Sequence, residues 1–418
     1  MARLKNRKYI DDVSGDSSKR RRLKKRSILF ISERKDKSLF ERNEVAQKIL
    51  QSRPDTFFTV LCVLLISLGT VLSFSAGSAY ASEAYGSGFH FVVNHLLHLA
   101  VGLVAAAFFY FGSHPKWMRV LSVGFYLVAI ALLVLVLIIG VEGGGAKRWL
   151  NFGFFTLQPS ELAKTAIILV MALYLTRYDE SVNSGFNRYS LIHGLIVPSM
   201  IFILVCVLIF FEHHFSGIII TVAIGVGMLF IGGTYFGWFL CLLPLVPLLW
   251  LLIQKFDYAM ERINSFLGKS GDNLAENWQS TQGLYAIGSG GLFGVGLGES
   301  SLKYGYVSQP QNDFVFTIVC EELGFFGASA ILLLFFTLVA RGVILGLRAP
   351  DKFTSIVILG LSFKLAIHVI LNVGVVSGVL PNTGISLPFF SSGGSATISQ
   401  MIDMGIILGL SRFCTQKQ

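Results

Sequence analysis

Ten long apolar stretches run through this chain, and they constrain its fold more than any other feature. Each is long enough to cross about 30 Å of hydrocarbon as a helix, and they fall at residues 56–77, 91–111, 118–140, 161–176, 191–211, 216–233, 236–254, 314–340, 354–379 and 388–411. None shows the polar–apolar alternation of a membrane β-strand. Only 14% of the residues are charged, compared with about 25% in soluble domains. The sequence therefore predicts an all-α polytopic membrane protein with ten transmembrane helices.

Positive charge is concentrated in the N-terminal tail. Residues 1–55 contain 17 of the 34 Lys and Arg residues but only 8 of the 24 Asp and Glu residues. Basic runs beside a first membrane helix more often set topology or touch anionic lipid than bind nucleic acid. We therefore predict a basic, mostly disordered cytoplasmic tail, no nucleic-acid partner, and a membrane domain at residues 56–413.

The short loops show the same charge asymmetry. Loops 78–90, 212–215 and 380–387 contain no Lys or Arg, whereas the loops on the other side contain Lys116, Arg119, Arg177, Arg188, Arg341, Arg348 and Lys352. By the positive-inside rule, both termini are predicted to be cytoplasmic. Residues 141–160 and 255–313 are then outside. The second segment is a large extracytoplasmic loop between helices 7 and 8, and a connection of that length usually serves a site.

The five cysteines, at positions 62, 206, 241, 320 and 414, have no close spacing. They favour neither a disulfide framework nor a zinc site. The glycine-rich run at 288–298 lacks the Gly-Lys-Ser/Thr ending of a phosphate-binding loop, which argues against a nucleotide site. We predict no metal-ligating cluster.

Several ionisable residues fall inside predicted spans, where they are costly and mark candidate sites. Glu161 and Lys164 are three residues apart on one helix face and are predicted to pair. The others are Glu321, Glu322, Lys364, His368 and Asp403. For each, a polar bridge between helices and a contact with substrate both remain open.

Asp313 stands at the outer end of the eighth predicted span. One interpretation is a helix N-cap, which aspartate supplies well. The alternative is a general base, which requires a substrate partner. Basic residues on the same side would suit a phosphate-type leaving group; they are Lys147, Arg148, Arg262, Lys269 and Lys303.

A series of motifs then covers nearly the whole membrane part. They are Gly145-Ala146-Lys147-Arg148-Trp149, Gln158-Pro159-Ser160-Glu161 with Lys164, Gln279 and Gln282, Lys303, Asp313-Phe314, Glu321-Glu322-Leu323-Gly324, Asn372-Val373-Gly374, Leu380-Pro381-Asn382-Thr383-Gly384, Leu387-Pro388-Phe389 and Gly393-Gly394-Ser395. In order and spacing, they resemble the SEDS family (shape, elongation, division and sporulation), and are most similar to its FtsW and SpoVE members.

The resemblance implies a peptidoglycan glycosyltransferase of the bacterial plasma membrane. It would polymerise lipid II into β1,4-linked glycan at the outer leaflet, in cell division or sporulation, with a class B penicillin-binding transpeptidase and other divisome or wall-synthesis proteins as partners, among membrane lipids. A lipid II flippase and a non-catalytic division scaffold are the alternatives. Whether a divalent cation such as Mg²⁺ assists at the pyrophosphate stays open.

The resemblance also implies roles for individual residues. Asp313 matches the essential outer-loop aspartate and is expected to be the catalytic base. Lys303, Lys147 and Arg148 are expected to contact the donor or its pyrophosphate, and Glu161 with Lys164 to shape the cavity. The remaining expected substrate-binding residues are Gln279, Gln282 and Ser395.

The chain departs from the usual pattern around this site. Gly268-Lys269-Ser270-Gly271-Asp272-Asn273 replaces Asn-Pro-Trp-Glu-Asp-Pro, and Glu212-His213-His214-Phe215-Ser216-Gly217 replaces Gln-Pro-Asp-Leu-Gly-Thr. Before Asp313, Val307-Ser308-Gln309 replaces Leu-Pro-Glu, and Asn312 replaces a threonine. Ser392 replaces the tyrosine of Ser-Tyr-Gly-Gly-Ser.

Overall fold

A computed structural model describes most of the membrane domain. The described residues are 53–143, 146–153, 156–242, 274–306 and 310–414, with isolated positions 247, 254, 260, 264 and 266. They belong almost entirely to one compact unit, Pro54–Gln418. The predictions for residues 1–52, for most of 243–273 and for 307–309 lie outside the described residues.

The described chain is mostly helical, as predicted. Its α-helices are α1 (Thr56–Tyr85), α2 (His90–Gly112), α3 (Pro115–Ile139), α4 (Pro159–Arg177), α5 (Asp179–Val182), α6 (Arg188–Ser190), α7 (Val197–Phe211), α8 (Phe215–Ile231), α9 (Leu274–Ser289), α10 (Val315–Leu347), α11 (Lys352–Val376) and α12 (Gly394–Cys414). A π-helical turn, Leu191–Ile196, joins α6 to α7, and a 3-10 helix covers Phe236–Leu242.

Seven described helical segments are long and apolar enough to cross a membrane. They are α1, α2, α3, α4, the continuous segment Arg188–Phe211, α10 and α11, and α8 is a shorter apolar helix. The seventh predicted span, 236–254, lies largely outside the described residues. The tenth was predicted to begin at 388, but its helix begins at Gly394.

Local sequence explains several helix ends. Asp55 caps α1 by accepting a 2.8 Å hydrogen bond from Phe58 N, and Gly86 ends that helix in the left-handed region, which glycine adopts without a Cβ clash. Pro115 and Pro159 occupy the first positions of α3 and α4, where a missing N–H costs nothing. These signals are short-range, so they are readable in the chain itself.

Residues 141–143, 146–151 and 156–157 form a small antiparallel sheet that the apolar pattern did not predict. Its strands are β1 (Val141–Gly143), β2 (Ala146–Asn151) and β3 (Thr156–Leu157), in the order β1-β2-β3. In β2–β3, Leu150 pairs with Leu157. The sheet leads directly into α4, and it holds the Lys147-Arg148 motif in extended backbone.

Helix α10 is interrupted at Gly324, whose φ of 66° is left-handed. The glycine-rich segment 288–298 packs against this interruption. Four hydrogen bonds join the two backbones: Val295 N to Glu321 O (3.0 Å), Gly296 N to Glu322 O (3.0 Å), Phe325 N to Gly291 O (2.9 Å) and Phe326 N to Leu292 O (3.1 Å). The segment thus satisfies polar groups that the interrupted helix leaves unpaired.

The glycines are required by this close approach. A Cβ at Gly290 would overlap the carbonyl oxygen of Cys320, and one at Gly294 would overlap the carbonyl of Glu322. The run therefore packs backbone against backbone, in a way that larger side chains would prevent.

Candidate functional site

A cavity of about 360 Å³ lies where β2, α4, α8, α11 and the segment before α10 meet. Polar and charged side chains from distant parts of the chain converge on it. The lining residues are Arg148, Trp149, Gln158, Glu161, His214, Ser216, Ile220, Asn312, Asp313, His368, Gly384, Ile385, Ser386, Gly393 and Ala396. Three residues predicted from the sequence, Asp313, Arg148 and Glu161, are therefore brought together.

Asp313 lies on the cavity wall just before α10. The N-cap of α10 is Phe314, which makes no side-chain capping bond, so the N-cap interpretation of Asp313 is wrong. The main chain instead determines its position: Asn372 Nδ2 donates a 2.9 Å bond to the Asp313 carbonyl oxygen. This leaves the carboxylate beside the cavity, where a base could meet a substrate.

Arg148 is held at the cavity by the turn between α7 and α8. Its guanidinium donates to the carbonyl oxygens of His213 (2.7 Å) and Glu212 (3.5 Å). Lys147 is exposed and pairs across β1–β2 with Glu142. Because successive side chains of a strand point to opposite faces, the two cations diverge, and only Arg148 lines the cavity.

Glu161 and Lys164 form the predicted pair. Lys164 Nζ lies 2.7 Å from Glu161 Oε1 and 3.0 Å from His368 Nε2. His368 Nδ1 lies 2.7 Å from the carbonyl oxygen of Lys364, so a neutral imidazole donating from Nδ1 satisfies both contacts. Glu161 and His368 line the cavity, and the buried Lys164 contacts both of them.

A second ion pair is buried deeper between α4, α11 and α12. Lys364 Nζ contacts Asp403 Oδ2 (2.7 Å), Thr165 Oγ1 (2.9 Å) and Ser399 Oγ (3.0 Å). Thr165 also donates a 2.7 Å bond to Asp403 Oδ1. Lys364 and Asp403 are 0% and 1% exposed, so here the polar bridge between helices is the correct interpretation.

Lys303 is buried in a different cluster. Its ammonium donates to Gly298 O (2.6 Å) and lies 3.3 Å from Glu322 Oε1. Ser75 of α1 also donates to Glu322, at 2.6 and 2.8 Å. Lys303 is 2% exposed and does not line the described cavity.

Glu321 anchors the same loop through the neighbouring serines. It accepts hydrogen bonds from Ser300 Oγ (2.5 Å), Ser301 N (3.0 Å) and Ser301 Oγ (3.2 Å). The two glutamates thus fasten residues 298–303 to the interruption in α10.

The other predicted substrate-binding residues also lie outside the cavity lining. Ser395 is buried; its hydroxyl donates to Thr156 O (2.9 Å) and accepts from Gln158 N (2.8 Å). It therefore holds the chain that enters α4. Gln279 and Gln282 lie on α9, half-buried and buried respectively, and α9 packs against α10.

Glu212 was noted only as a departure from the usual motif, yet its setting is unusual. It is 1% exposed, and neither carboxylate oxygen has a hydrogen-bond partner among the described residues. Burial raises the pKa of this carboxyl to about 8, against the opposing effect of Arg148. Glu212 is therefore a neutral acid at neutral pH, within the turn whose carbonyl oxygens accept hydrogen bonds from Arg148.

Sequence reasoning missed Gln158, His214 and Gly384 as cavity residues. Gln158 Nε2 lies 3.4 Å from His214 Nδ1, linking the start of α4 to the start of α8. Gly384 has a φ of 65°, and a Cβ there would lie 3.2 Å from Asp313 Oδ2. Gln158 and Gly384 stood in recognised motifs, which was the available signal. Their convergence on one cavity was not encoded locally.

Two departures from the usual motif face each other. Ser392 Oγ lies 2.9 Å from Asn312 Oδ1, next to Asp313. Among the described residues, no group of three or more His, Cys, Asp or Glu side chains comes together as a metal site.

Comparisons with known proteins identify the family of this chain. Residues 55–416 match the model of the cell cycle protein family that comprises FtsW, RodA and SpoVE. Stage V sporulation protein E of Bacillus subtilis (strain 168) is 35% identical over 367 residues, 87% of this chain and 98% of that protein. A protein of Coxiella burnetii (strain RSA 493 / Nine Mile phase I) named "Probable peptidoglycan glycosyltransferase FtsW" is 34% identical, over 84% of this chain and 95% of that one.

Solved structures share the fold. A chain from a peptidoglycan synthase complex, described for its structural coordination of polymerization and crosslinking, is 27% identical with a TM-score of 0.70, covering 87% of this chain and 99% of that one. The rod shape determining protein RodA of Thermus thermophilus is 26% identical with a TM-score of 0.62, covering 87% and 98%. This chain is a multi-pass membrane protein and belongs to the FtsW/RodA/SpoVE family of cell cycle proteins.

Proposed function

We propose that this protein is a peptidoglycan glycosyltransferase that polymerises lipid II at the outer face of the bacterial plasma membrane. The observation that carries the proposal is that Asp313 and Arg148 line one cavity. A carboxylate can accept the proton of an attacking hydroxyl, and a guanidinium can bind a departing pyrophosphate. The names of the family members support the same activity.

In this reaction the 4-hydroxyl of an acceptor N-acetylglucosamine attacks the anomeric carbon of the donor. The bond from that carbon to the polyprenyl pyrophosphate breaks, and its electron pair leaves with the pyrophosphate oxygen. Asp313 takes the hydroxyl proton, and Arg148 offsets the charge of the leaving group. An α-linked donor gives a β1,4 product in one inverting displacement. One carboxylate suffices, because pyrophosphate leaves without protonation.

The other predicted residues take supporting roles. Glu161 shapes the cavity wall and is held in place by its ion pair with Lys164 (2.7 Å). We assign Lys303 to the structural ion pair with Glu322, in place of the pyrophosphate contact expected from the sequence, because its ammonium is buried there. Ser395 holds Gln158 at the cavity. We assign Lys147, Gln279 and Gln282, which do not line the cavity, to contacts with parts of the substrate that extend beyond it.

The proposed topology places the cavity on the outer side. Ten spans with both termini cytoplasmic put residues 141–160 and 255–313 outside, and Arg148 and Asp313 lie within those segments. A class B penicillin-binding transpeptidase is the proposed partner. A similar chain occurs in a peptidoglycan synthase complex that couples polymerization and crosslinking, which supports this pairing.

Purified protein with labelled lipid II tests the proposal. We expect glycan ladders from the wild type, and at least about a hundredfold less product from Asp313→Asn, because asparagine cannot accept the proton. Folding should survive, since Asp313 does not cap α10. Membrane expression and thermal stability serve as controls, with Asp351→Asn, at a true N-cap of α11, as the matched variant.

Each outcome separates the alternatives. Translocation of lipid II across vesicles without ladders would favour a flippase. The absence of both glycan ladders and lipid II translocation would favour a scaffold. Ladders that persist in Asp313→Asn would contradict the base assignment.

A further inference from the structure

The segment Gln311-Asn312-Asp313 is fastened to the C-terminal part of the chain at both of its ends. At the first end, Ser392 N donates a 2.9 Å bond to the Gln311 carbonyl oxygen. The Ser392 hydroxyl lies 3.0 Å from the same oxygen and 2.9 Å from Asn312 Oδ1. One serine therefore engages both residues that precede the aspartate.

Asn372 of α11 fastens the second end. Its amide nitrogen Nδ2 lies 2.9 Å from the carbonyl oxygen of Asp313 and 2.7 Å from that of Ile385. An amide nitrogen carries two hydrogens, so it can donate to both. The side chain is 1% exposed, and its Oδ1 has no hydrogen-bond partner among the described residues. The two donated bonds are thus the polar contacts of this side chain.

These two bonds determine how far Asp313 stands from the facing loop. Ile385 follows Gly384, and a Cβ on Gly384 would lie 3.2 Å from Asp313 Oδ2. Asn372 ties the main chain on both sides of this narrow gap, which belongs to the cavity wall. Its amide therefore sets the separation between the carboxylate and the loop opposite.

We propose that Asn372 and Ser392 are positioning residues for Asp313, which hold its carboxylate at a fixed place in the cavity. The proposal rests on the function assigned to Asp313 above. A base must sit within about 2.6–3.2 Å of the proton it removes, and a displacement of about 1 Å can cost on the order of a hundredfold in rate. Neither residue needs to touch the substrate to have this effect.

The test measures lipid II polymerisation by purified full-length variants, in both the Asp313 and the Asp313→Asn background. Asn372→Leu removes both donated bonds at similar volume. We expect kcat to fall about tenfold to a hundredfold, with KM for lipid II changed less than about twofold. In the Asp313→Asn background the same substitution should change the residual rate less than about twofold, because no base remains to be misplaced.

Ser362→Ala is the matched control on the same helix. Ser362 is buried, and its hydroxyl donates to Ile358 O (2.8 Å) within α11, so its loss should leave kcat unchanged in both backgrounds. Ser392→Ala keeps the main-chain bond to Gln311 and should lower kcat about threefold to tenfold, a smaller effect of the same kind. If Asn372→Leu does not fold, the effects of Ser392→Ala on kcat in the Asp313 and Asp313→Asn backgrounds test the positioning role.

Equal losses of kcat in the two backgrounds would overturn the positioning role while leaving Asp313 as the base. A rise in KM with unchanged kcat would also overturn it, since that result indicates lost binding. Near-normal product from Asp313→Asn alone would remove the base assignment and this proposal together. The two failures are therefore distinguishable.

Discussion

The cavity wall and the ion pairs buried between the helices contain the same kinds of side chain in different settings. In the cavity, Arg148 donates to main-chain carbonyls and Asp313 is held through its main chain. In the interior, Lys364 and Lys303 are buried against carboxylates. A charge buried against an opposite charge stabilises packing, whereas a charged side chain that lines a cavity can also meet a ligand. Location relative to the cavity, rather than charge itself, separates the two roles.

The interior ion pair offers the largest expected effect. Lys364→Met leaves Asp403 without its cation between three helices, and stranding one partner of a buried pair costs about 3–5 kcal/mol of unfolding free energy. Lys364→Met combined with Asp403→Asn should recover part of this loss. Thermal and denaturant unfolding in detergent measures both. Simple additivity of the two single losses would show that the pair does not act as a unit.

A matched substitution of two cations tests the comparison directly. Arg148→Met should lower kcat/KM about tenfold to a hundredfold with little change in stability, since it removes a charge facing the leaving group. Lys303→Met should lower stability and folded yield together, and Glu322→Gln should partly restore both. Polymerisation per folded molecule and melting temperature separate the two results. A stable but inactive Lys303→Met protein would contradict this structural role and favour a contact between Lys303 and the substrate.

Glu212 is buried in the turn that Arg148 contacts, and its replacement should give the smallest effect. Its pKa is raised to about 8, so the folded state keeps a proton that the unfolded state releases near its ordinary pKa of about 4.3. Wild-type stability is therefore full below that ordinary value and falls as the pH rises toward 8. Glu212→Gln should remove this slope. Between pH 6 and pH 8, the free energy of unfolding of the variant should therefore rise relative to wild type by on the order of 1–2 kcal/mol.

Melting curves in detergent at several pH values provide the measurement for Glu212. Glu180→Gln, at an exposed position, is the control and should follow the wild type. Parallel pH profiles for wild type and Glu212→Gln would contradict the neutral buried carboxyl.

Much of the site was predictable as a set of residues but not as an arrangement. Glu161 and Lys164 were expected to pair because three residues separate them on a helix, and they do, at 2.7 Å. Lys303 was expected to act beside Arg148, because both are cations of the same predicted outer side. Its partner Glu322 lies 19 residues away along the chain, and the contact depends on the interruption of α10.

The sequence alone determined the features that depend on local chemistry. Apolar length predicts the membrane helices, ordered motifs identify the family, and local residues such as Asp55 and Pro159 account for helix ends seen in the structure. Each of these follows from the solvent and from neighbours within a few residues.

Only the tertiary structure decided which charges face the cavity. Lys364 reaches Asp403 across 39 residues, and Asn372 reaches Asp313 across 59. Such contacts depend on how α4, α10, α11 and α12 pack. A buried ion pair and the proposed catalytic pair contain the same types of residue, so the sequence does not separate them. They differ in their surroundings, because helix packing encloses Lys364 and Asp403 but places Asp313 and Arg148 on a cavity wall that a substrate can reach.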